Sequence, residues 1–186
     1  MDIPACDAAL HEALKEPRQR QLLEVINTFL KKSKKSSSDP SELEFVCLDC
    51  KAEGVEGKAR AFFASPPAIV LCANRLHTND DVKEVVVHEL IHAYDYTVRN
   101  MDLTIPRILA CSEVRSARES ECFNTAEAMC NNPQFSMLNR GCEWYIKRCV
   151  KKNAVKATSS LFPDEADKLV HDVFDKCYAD KAPFEQ

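Results

Sequence analysis

The chain has 186 residues, of which 45% are hydrophobic and 29% are charged, a balance typical of folded globular domains and not of disordered or fibrous chains. Its formal net charge of −4 argues against a dedicated nucleic-acid binder, which would concentrate excess Lys and Arg on one face. No apolar run approaches the roughly 18 residues that span a bilayer. The length suits one domain covering residues 1–186, and we expect a monomer.

Ten cysteines are the unusual feature of the composition. Their even number suggests disulfides, but the N-terminus lacks the basic and apolar regions of a secretory signal, so we expect no classical leader. Cytosolic thiols stay reduced. Folding in an oxidising compartment that is reached without such a leader reconciles these facts, and the mitochondrial intermembrane space is the obvious candidate. The alternative is a reduced protein with core cysteines and a structural zinc.

Residues 1–42 form an N-terminal helical segment and linker. Helical periodicity covers residues 7–32, and Pro17 is expected to start a new helix there. Short strands are expected next, with Gly54 and Gly57 marking the turn between the first two; the strands cover residues 45–48, 60–64 and 68–72. Only three glycines occur in the whole chain, which disfavours a large all-β fold.

The helices follow in the remainder of the chain. Thr78 is a suitable N-cap for a helix that runs to about Arg99, with Asn100 as its stop. Pro106 is a good first residue for a second helix of about 25 residues, ended by Asn131, Asn132 and Pro133. A third helix is expected over residues 137–155, and a fourth from Pro163, with a buried stripe formed by Ala166, Leu169, Val170, Val173, Phe174 and Cys177.

The chemistry is concentrated in the helical segment His88-Glu89-Leu90-Ile91-His92. Two histidines four residues apart lie on the same side of a helix and can share a metal, and neutral imidazoles suit zinc. Glu89 lies beside this pair and can act as the general base towards a water molecule that attacks a carbonyl. The uncharged run Val85–Val87 predicts a buried helix. The pattern indicates a zinc peptidase with one zinc per chain and catalytic Glu89; the alternative is two core histidines beside a surface glutamate.

A catalytic zinc site needs a third protein ligand and one open position. We favour Glu113 as this ligand, because a glutamate from the following helix is the arrangement of thermolysin-type zincins. Asp102 lies in the intervening turn and is an alternative. Asp95 shares the helix stripe of His88, His92 and Arg99, so we expect it to orient a ligand or to pair with an arginine.

The cysteine spacing predicts specific pairs. Cys122 and Cys130 are about two turns apart on one helix, as are Cys142 and Cys149 on the next. An antiparallel hairpin around residues 131–141 would therefore pair Cys130 with Cys142 and Cys122 with Cys149, leaving Cys111 to bond elsewhere. Cys47 and Cys50 form a C-x-x-C without a second copy, which favours two separate disulfides over a zinc knuckle or a redox pair.

The predicted fold class is α+β: a small zincin-like metallopeptidase. We expect a short, mainly antiparallel sheet packed on the active-site helix within residues 43–105, and a helical, cysteine-rich half over residues 106–186. By analogy with zincins, the strand Ala68–Asn74 is expected to be the edge strand that pairs with an extended peptide. Trp144 and Tyr145 are expected to pack in the helical core.

The runs from His88 to Asp95 and from Ala110 to Arg115 resemble the mitochondrial inner-membrane metalloprotease family, also called Ku-binding-protein-like, which processes a precursor subunit of ATP synthase. The likeness extends from Cys47 to the C-terminal helix. It implies a zinc enzyme, peripheral on the intermembrane-space side of the inner membrane, that also assists assembly of the ATP synthase membrane sector. His88 and His92 match the family's metal ligands and Glu89 its catalytic glutamate, whereas the third ligand is not settled by the resemblance.

Two other functions are compatible with the same motif. A nuclear DNA-repair protease would have reduced cysteines and a basic DNA-binding surface, and the acidic balance speaks against it. An assembly chaperone with the peptidase fold would not need turnover. Intact His88, Glu89 and His92 favour retained catalysis.

Overall fold

The computed structural model describes residues 1–36, 39–51, 53, 57–64, 67–130 and 139–184, which form two compact units, Met1–Met101 and Asp102–Gln186. The first unit contains α1 (Ile3–Ala13), α2 (Pro17–Ser33), β1 (Glu44–Leu48), β2 (Ala61–Ala64), β3 (Ala68–Cys72) and α3 (Asn79–Thr97). The second contains α4 (Pro106–Glu119), α5 (Phe123–Cys130), α6 (Asn139–Thr158) and α7 (Ala166–Ala179). The α+β class is confirmed, while a single domain stays a prediction.

The sheet of the first unit has the strand order β1-β3-β2. Strand β3 pairs in parallel with β1 and antiparallel with β2, so the sheet is mixed and not mainly antiparallel. Because β3 lies in the centre, both of its edges already bond to neighbouring strands. The expectation that Ala68–Asn74 is the edge strand for a peptide is therefore wrong, and the edge strands are β1 and β2.

One face of this sheet packs against helices. Cys47, Leu71 and Ala61 are register partners across the three strands, and all are buried, whereas Val46 and Leu48 on the opposite face are exposed. Helix α3 packs on β2 and β3, while α1 and α2 pack on α3. Helix α3 is thus covered on more than one side, which explains why its apolar residues are not confined to one stripe.

Both ends of α3 are fixed by local chemistry. Thr78 Oγ1 accepts a hydrogen bond from the Asp81 N–H at 3.1 Å, and Asp81 Oδ2 accepts one from the Thr78 N–H at 2.9 Å, forming a capping box. Partial burial raises the pKa of Asp81, but hydrogen bonds from the N–H groups of His77 and Thr78 outweigh it and hold the pKa below its ordinary value. At the other end Asn100 adopts φ 53°, which confirms it as the stop.

The second unit is a helical cluster in which α4 packs on both α6 and α7. The predicted stripe of the last helix is confirmed, since all six of its residues are buried, but that helix begins at Ala166 and not at Pro163. The helix expected to continue from Pro106 for about 25 residues breaks after Glu119. There Ser120 leaves the helical conformation, with φ −114° and ψ −93°, and its hydroxyl donates to the Ser116 carbonyl at 2.6 Å; α5 starts afresh at Phe123.

The prediction that Trp144 and Tyr145 pack in the core is wrong. Trp144 is 61% exposed and Tyr145 42% exposed, because α6 turns the side that carries Val150 and Ala154 towards the core. The sequence of α6 does not reveal this orientation, because Trp144 and Tyr145 precede the buried residues Val150 and Ala154 along the helix and do not alternate with them.

All ten cysteines form disulfides within one unit or the other. The two nested pairs, Cys122–Cys149 and Cys130–Cys142, are confirmed. The C-x-x-C cysteines belong to two separate bonds, as favoured above, namely Cys6–Cys47 and Cys50–Cys72. The fifth bond joins Cys111 to Cys177 across 66 residues, and closing so long a loop contributes about 4 kcal/mol in the chain-entropy account.

Some expected features lie outside the described residues. They are the turn residue Gly54, the helix stop at residues 131–133, and the first two positions of the helix expected from residue 137. The other turn glycine, Gly57, adopts φ +52°, a conformation that favours glycine and agrees with its expected place in a turn.

We expect replacement of Asp81 with Ala to lower the free energy of unfolding by about 1 kcal/mol at neutral pH, as for other lost N-terminal caps. Because folding lowers the pKa of Asp81, its contribution is present above the unfolded-state pKa of about 3.9 and disappears as the pH falls through the lower folded-state value. Urea unfolding of both proteins in increasingly acidic buffers measures this convergence. Asp80→Ala, in the same turn, is the control; an equal effect there would contradict the capping role.

Candidate metal centre

The two histidines of the motif bring their ring nitrogens together. His88 Nε2 and His92 Nε2 are 3.2 Å apart, and the rings lie nearly edge to face at 75°. Two nitrogen ligands at the usual bond length from a tetrahedral zinc ion are about 3.3 Å apart. The observed pair therefore fits two neighbouring corners of such a coordination shell.

Three ionisable side chains of α3, within and next to the motif, are buried. His92 and Glu89 are each 7% exposed, and Asp95 is fully buried. Burying ionisable groups is costly unless they are compensated, and such groups are concentrated at functional sites. Glu89, one position after His88, is thus an interior residue and not a surface glutamate.

Asp95 pairs with an arginine, which is one of its two expected roles. Its Oδ1 lies 3.6 Å from Arg99 Nη1, one helical turn further on. The Asp95 carbonyl also accepts a hydrogen bond from the Met101 N–H at 2.9 Å. This residue therefore helps to fix the end of the helix that carries the histidines.

Asp102, the alternative third ligand, is engaged in its own turn. Its Oδ1 accepts hydrogen bonds from the Thr104 hydroxyl at 2.6 Å and from the Thr104 N–H at 3.0 Å. Both bonds lower the pKa of this exposed carboxyl group, and the bond from the hydroxyl has the larger effect. A local structural role accounts for Asp102 without a metal.

Glu113, the favoured third ligand, is buried on α4 in the second unit, with 7% of its surface exposed. Two residues before it, Cys111 is bonded to Cys177 of α7. Two residues after it, Arg115 Nη1 contacts Asp180 Oδ2 at 2.7 Å. Since successive helix residues rotate by about 100°, Glu113 lies on the side of α4 opposite these two anchors.

The anchoring arginines were not identified from the sequence. Arg115 is fully buried and donates to the Ala182 carbonyl at 2.8 Å, and Arg118 donates to the carbonyls of Tyr178 and Asp180. The last carbonyls of a helix lack intrahelical partners and carry partial negative charge, so guanidinium groups bind them well. The spacing of Cys111, Arg115 and Arg118 along one side of α4 is the signal that could have revealed this contact.

His88 and His92 of α3 and Glu113 of α4 each offer a donor atom of the kind that binds a metal ion. Two imidazoles and one carboxylate are the protein ligands of one class of catalytic zinc site, which keeps its fourth position for water or substrate. The chemistry of this donor set thus fits zinc.

Strand β2 lies beside the helix surface that carries the histidines. Glu84, His88, His92 and Tyr96 are spaced by four residues and form one row along α3. Arg60, immediately before β2, contacts Glu84 at 2.6 Å, and Phe63 packs against Tyr96 with ring centroids 5.4 Å apart. Because β2 touches both ends of the row, this edge strand runs alongside the two histidines.

Residues 5–185 match the peptidase M76 family. The chain belongs to this family. The chain is also similar to curated proteins over most of its length. It is 37% identical over 145 residues to a protein of zebrafish (Danio rerio) and 36% identical over 145 residues to a human protein, each named mitochondrial inner membrane protease ATP23 homolog. These alignments cover 75% of this chain but 53% and 54% of those relatives, so the chain spans about half their length.

A protein of Schizosaccharomyces pombe named mitochondrial inner membrane protease atp23 is 30% identical over 145 residues, which cover 75% of this chain and 72% of that relative. No solved structure matches this M76 chain. Among the described residues, no helix is long and apolar enough to cross a membrane.

We expect the purified chain to retain about one zinc ion after dialysis, and His88→Ala or His92→Ala to lose it, because each variant removes one converging nitrogen. Mass spectrometry of the metal content measures this directly. His11→Ala, which removes an exposed histidine of α1, is the control and should keep its zinc. Full zinc content in both motif variants would show that the histidines do not bind the ion.

Proposed function

We propose that this chain is a zinc-dependent endopeptidase of the mitochondrial intermembrane space, peripheral on the inner membrane, that processes a precursor subunit of ATP synthase and assists assembly of its membrane sector. The observation that carries the proposal is the convergence of His88 and His92 beside buried Glu89, in a chain of the peptidase M76 family. The same geometry would serve hydrolysis of any peptide bond that can reach it.

The chain's own residues supply most of the proposed chemistry. His88, His92 and Glu113 would hold the zinc ion, which when bound supplies Lewis acidity towards a carbonyl and makes water more acidic. The Glu89 carboxylate takes a proton from the attacking water as the carbon–oxygen bond forms. It then delivers that proton to the leaving amine nitrogen as the carbon–nitrogen bond breaks. Burial of Glu89 limits competing hydration of this carboxylate.

The outer edge of β2 is suited to hold the peptide. The Cys72 N–H bonds to the Arg60 carbonyl at 2.9 Å, so Arg60 and the residue two further on face β3. The backbone N–H and C=O groups of Ala61 and Phe63 consequently point to the other edge of the sheet. A peptide bound there as an added strand would pass along the row that contains His88 and His92.

The proposed compartment is supported by two observations. All ten cysteines are bonded, and disulfides persist in oxidising compartments but are rare in the cytosol and nucleus. The relatives are named for the mitochondrial inner membrane. The ATP synthase substrate and the assembly role rest on the resemblance of the motif regions to the processing family.

We expect Glu89→Gln to reduce kcat/KM by about 10²–10⁴-fold while the zinc content is unchanged, because the amide cannot take a proton but is not required as a ligand. Cleavage of an internally quenched peptide library, together with metal analysis, separates the two effects. Glu84→Gln, one turn before His88, is the control. Undiminished cleavage by the Glu89 variant would refute its role as the base.

The same variant tests the physiological substrate in cells that lack this protein. Wild-type protein should restore the mature ATP synthase subunit, and Glu89→Gln should leave the precursor uncleaved. Assembled ATP synthase containing uncleaved precursor would identify assembly as a separate, non-proteolytic role. Normal processing with the variant would show that another enzyme cleaves this subunit.

We expect Glu113→Gln to weaken zinc binding by more than the about 10–100-fold typical of losing an outer hydrogen-bond partner, since it removes a proposed direct ligand. Competition with a fluorescent zinc chelator measures the affinity. Glu119→Gln is a matched control, because Glu119 lies on the same helix and is buried to the same 7%. If both variants lost zinc equally, general loosening of α4 would explain the effect, and Glu113 would not be assigned as a ligand.

A further inference from the structure

One surface of α6 combines exposed aromatic rings with cations. Trp144, Arg148, Lys152 and Lys156 are spaced by four residues and follow one side of the helix, with Tyr145 beside them. All five are exposed, and Trp144 is the most exposed aromatic side chain among the described residues at 61%. We call these five residues the aromatic–basic face. The opposite side of α6 carries Val150 and Ala154 into the core of the second unit.

Lys147 and Lys151 of the same helix differ from the cations of this face, because each has a polar side-chain partner. Lys147 pairs with Glu143 at 2.8 Å, and Lys151 Nζ lies 3.3 Å from His171 Nδ1. In the part of the chain that the structure describes, Arg148, Lys152 and Lys156 have no carboxylate partner. Three exposed positive charges are thus gathered along one line on a chain whose formal net charge is −4.

Trp144 gives the face a second property. The Arg148 guanidinium carbon lies 5.4 Å from the centre of the indole ring, a cation–π contact that keeps a charge and a large apolar surface together. Tryptophan and tyrosine favour the boundary between water and hydrocarbon, because each has an apolar body and one polar group. Lys and Arg beside them meet the phosphates of anionic lipids.

We propose that the aromatic–basic face of α6 binds the surface of an anionic lipid membrane, with α6 lying parallel to it. The 20-residue helix is about 30 Å long, so its cations can contact several headgroups while Trp144 and Tyr145 enter the headgroup layer. This inference rests on the proposed inner-membrane location for its biological setting, but it does not depend on peptidase activity. An acidic protein surface is the competing occupant, and soluble polyglutamate distinguishes it from a membrane.

The chain contains a single tryptophan, so its fluorescence reports directly on this face. We expect vesicles of phosphatidylcholine with cardiolipin to shift the Trp144 emission to shorter wavelength and to carry the full chain upward in flotation gradients. Vesicles of phosphatidylcholine alone should do neither, and added salt should weaken the binding. No response to cardiolipin vesicles would overturn the proposal, whatever the outcome of the peptidase assays.

The decisive variant is Arg148→Glu/Lys152→Glu/Lys156→Glu. Each cation near an anionic surface contributes about five-fold to partitioning, so we expect a loss of at least about 100-fold in vesicle binding. Lys32→Glu/Lys34→Glu/Lys35→Glu has the same change in net charge at exposed positions near the end of α2, and it should bind as well as wild type. Circular dichroism and zinc content verify that both variants are folded.

Two results would reject the assignment even if the wild-type chain binds vesicles. Equal loss in both triple variants would mean that overall charge, and not this face, drives binding. A Trp144 emission shift with soluble polyglutamate as large as that with cardiolipin vesicles would assign the face to an acidic protein. If the α6 triple variant still cleaves a soluble peptide, its loss of vesicle binding does not result from a damaged active site.

Discussion

The site depends on keeping two imidazole nitrogens 3.2 Å apart inside a helix that is packed on several sides. Two polar rings this close together near a buried carboxylate are unfavourable unless they share a proton or bind an ion. This holds whether the rings are neutral or charged. The surrounding structure has to impose this arrangement. Strand β2, α1 and α2 all pack on α3, and the capping box holds its first turn, so the backbone below the motif has little freedom to relieve the crowding.

The second unit imposes a similar constraint on Glu113. Helix α4 is held to α7 by one covalent bond and by two guanidinium groups that bind carbonyl oxygens at and just beyond the end of α7. Arginine suits this task because its donors are fixed in a plane and it keeps its charge when buried. If Glu113 is the third ligand, as proposed, a carboxylate on a helix anchored in this way would need little further ordering when an ion binds.

Features determined by nearby residues could be predicted from the sequence. The cap at Thr78, the stop at Asn100 and the two nested disulfides follow from spacing along single helices or one helical hairpin. The order of the strands could not be predicted, because nothing within Ala68–Cys72 shows that it has a partner on each side.

The exposure of Trp144 could not be predicted for a related reason. The large apolar ring of tryptophan favours burial, and only the packing of Val150 and Ala154 in the core fixes the rotation of α6. Of the candidate site, the convergence of His88 and His92 follows from a five-residue pattern, whereas Arg115 and Arg118 contact a segment more than 60 residues away.

The distribution of the disulfides has a consequence for the covalent integrity of the chain. Two bonds join residues up to position 72, and the other three join residues from position 111 onward, with none linking the two groups. Between Cys72 and Cys111 the polypeptide backbone is therefore the sole covalent connection. A single cut in the segment between α3 and α4 would divide the molecule into two pieces that separate on a denaturing gel without any reducing agent, each still internally cross-linked. A single cut inside any of the closed loops would leave the pieces joined by sulfur, so the mobility of a nicked sample reveals where the backbone is most accessible.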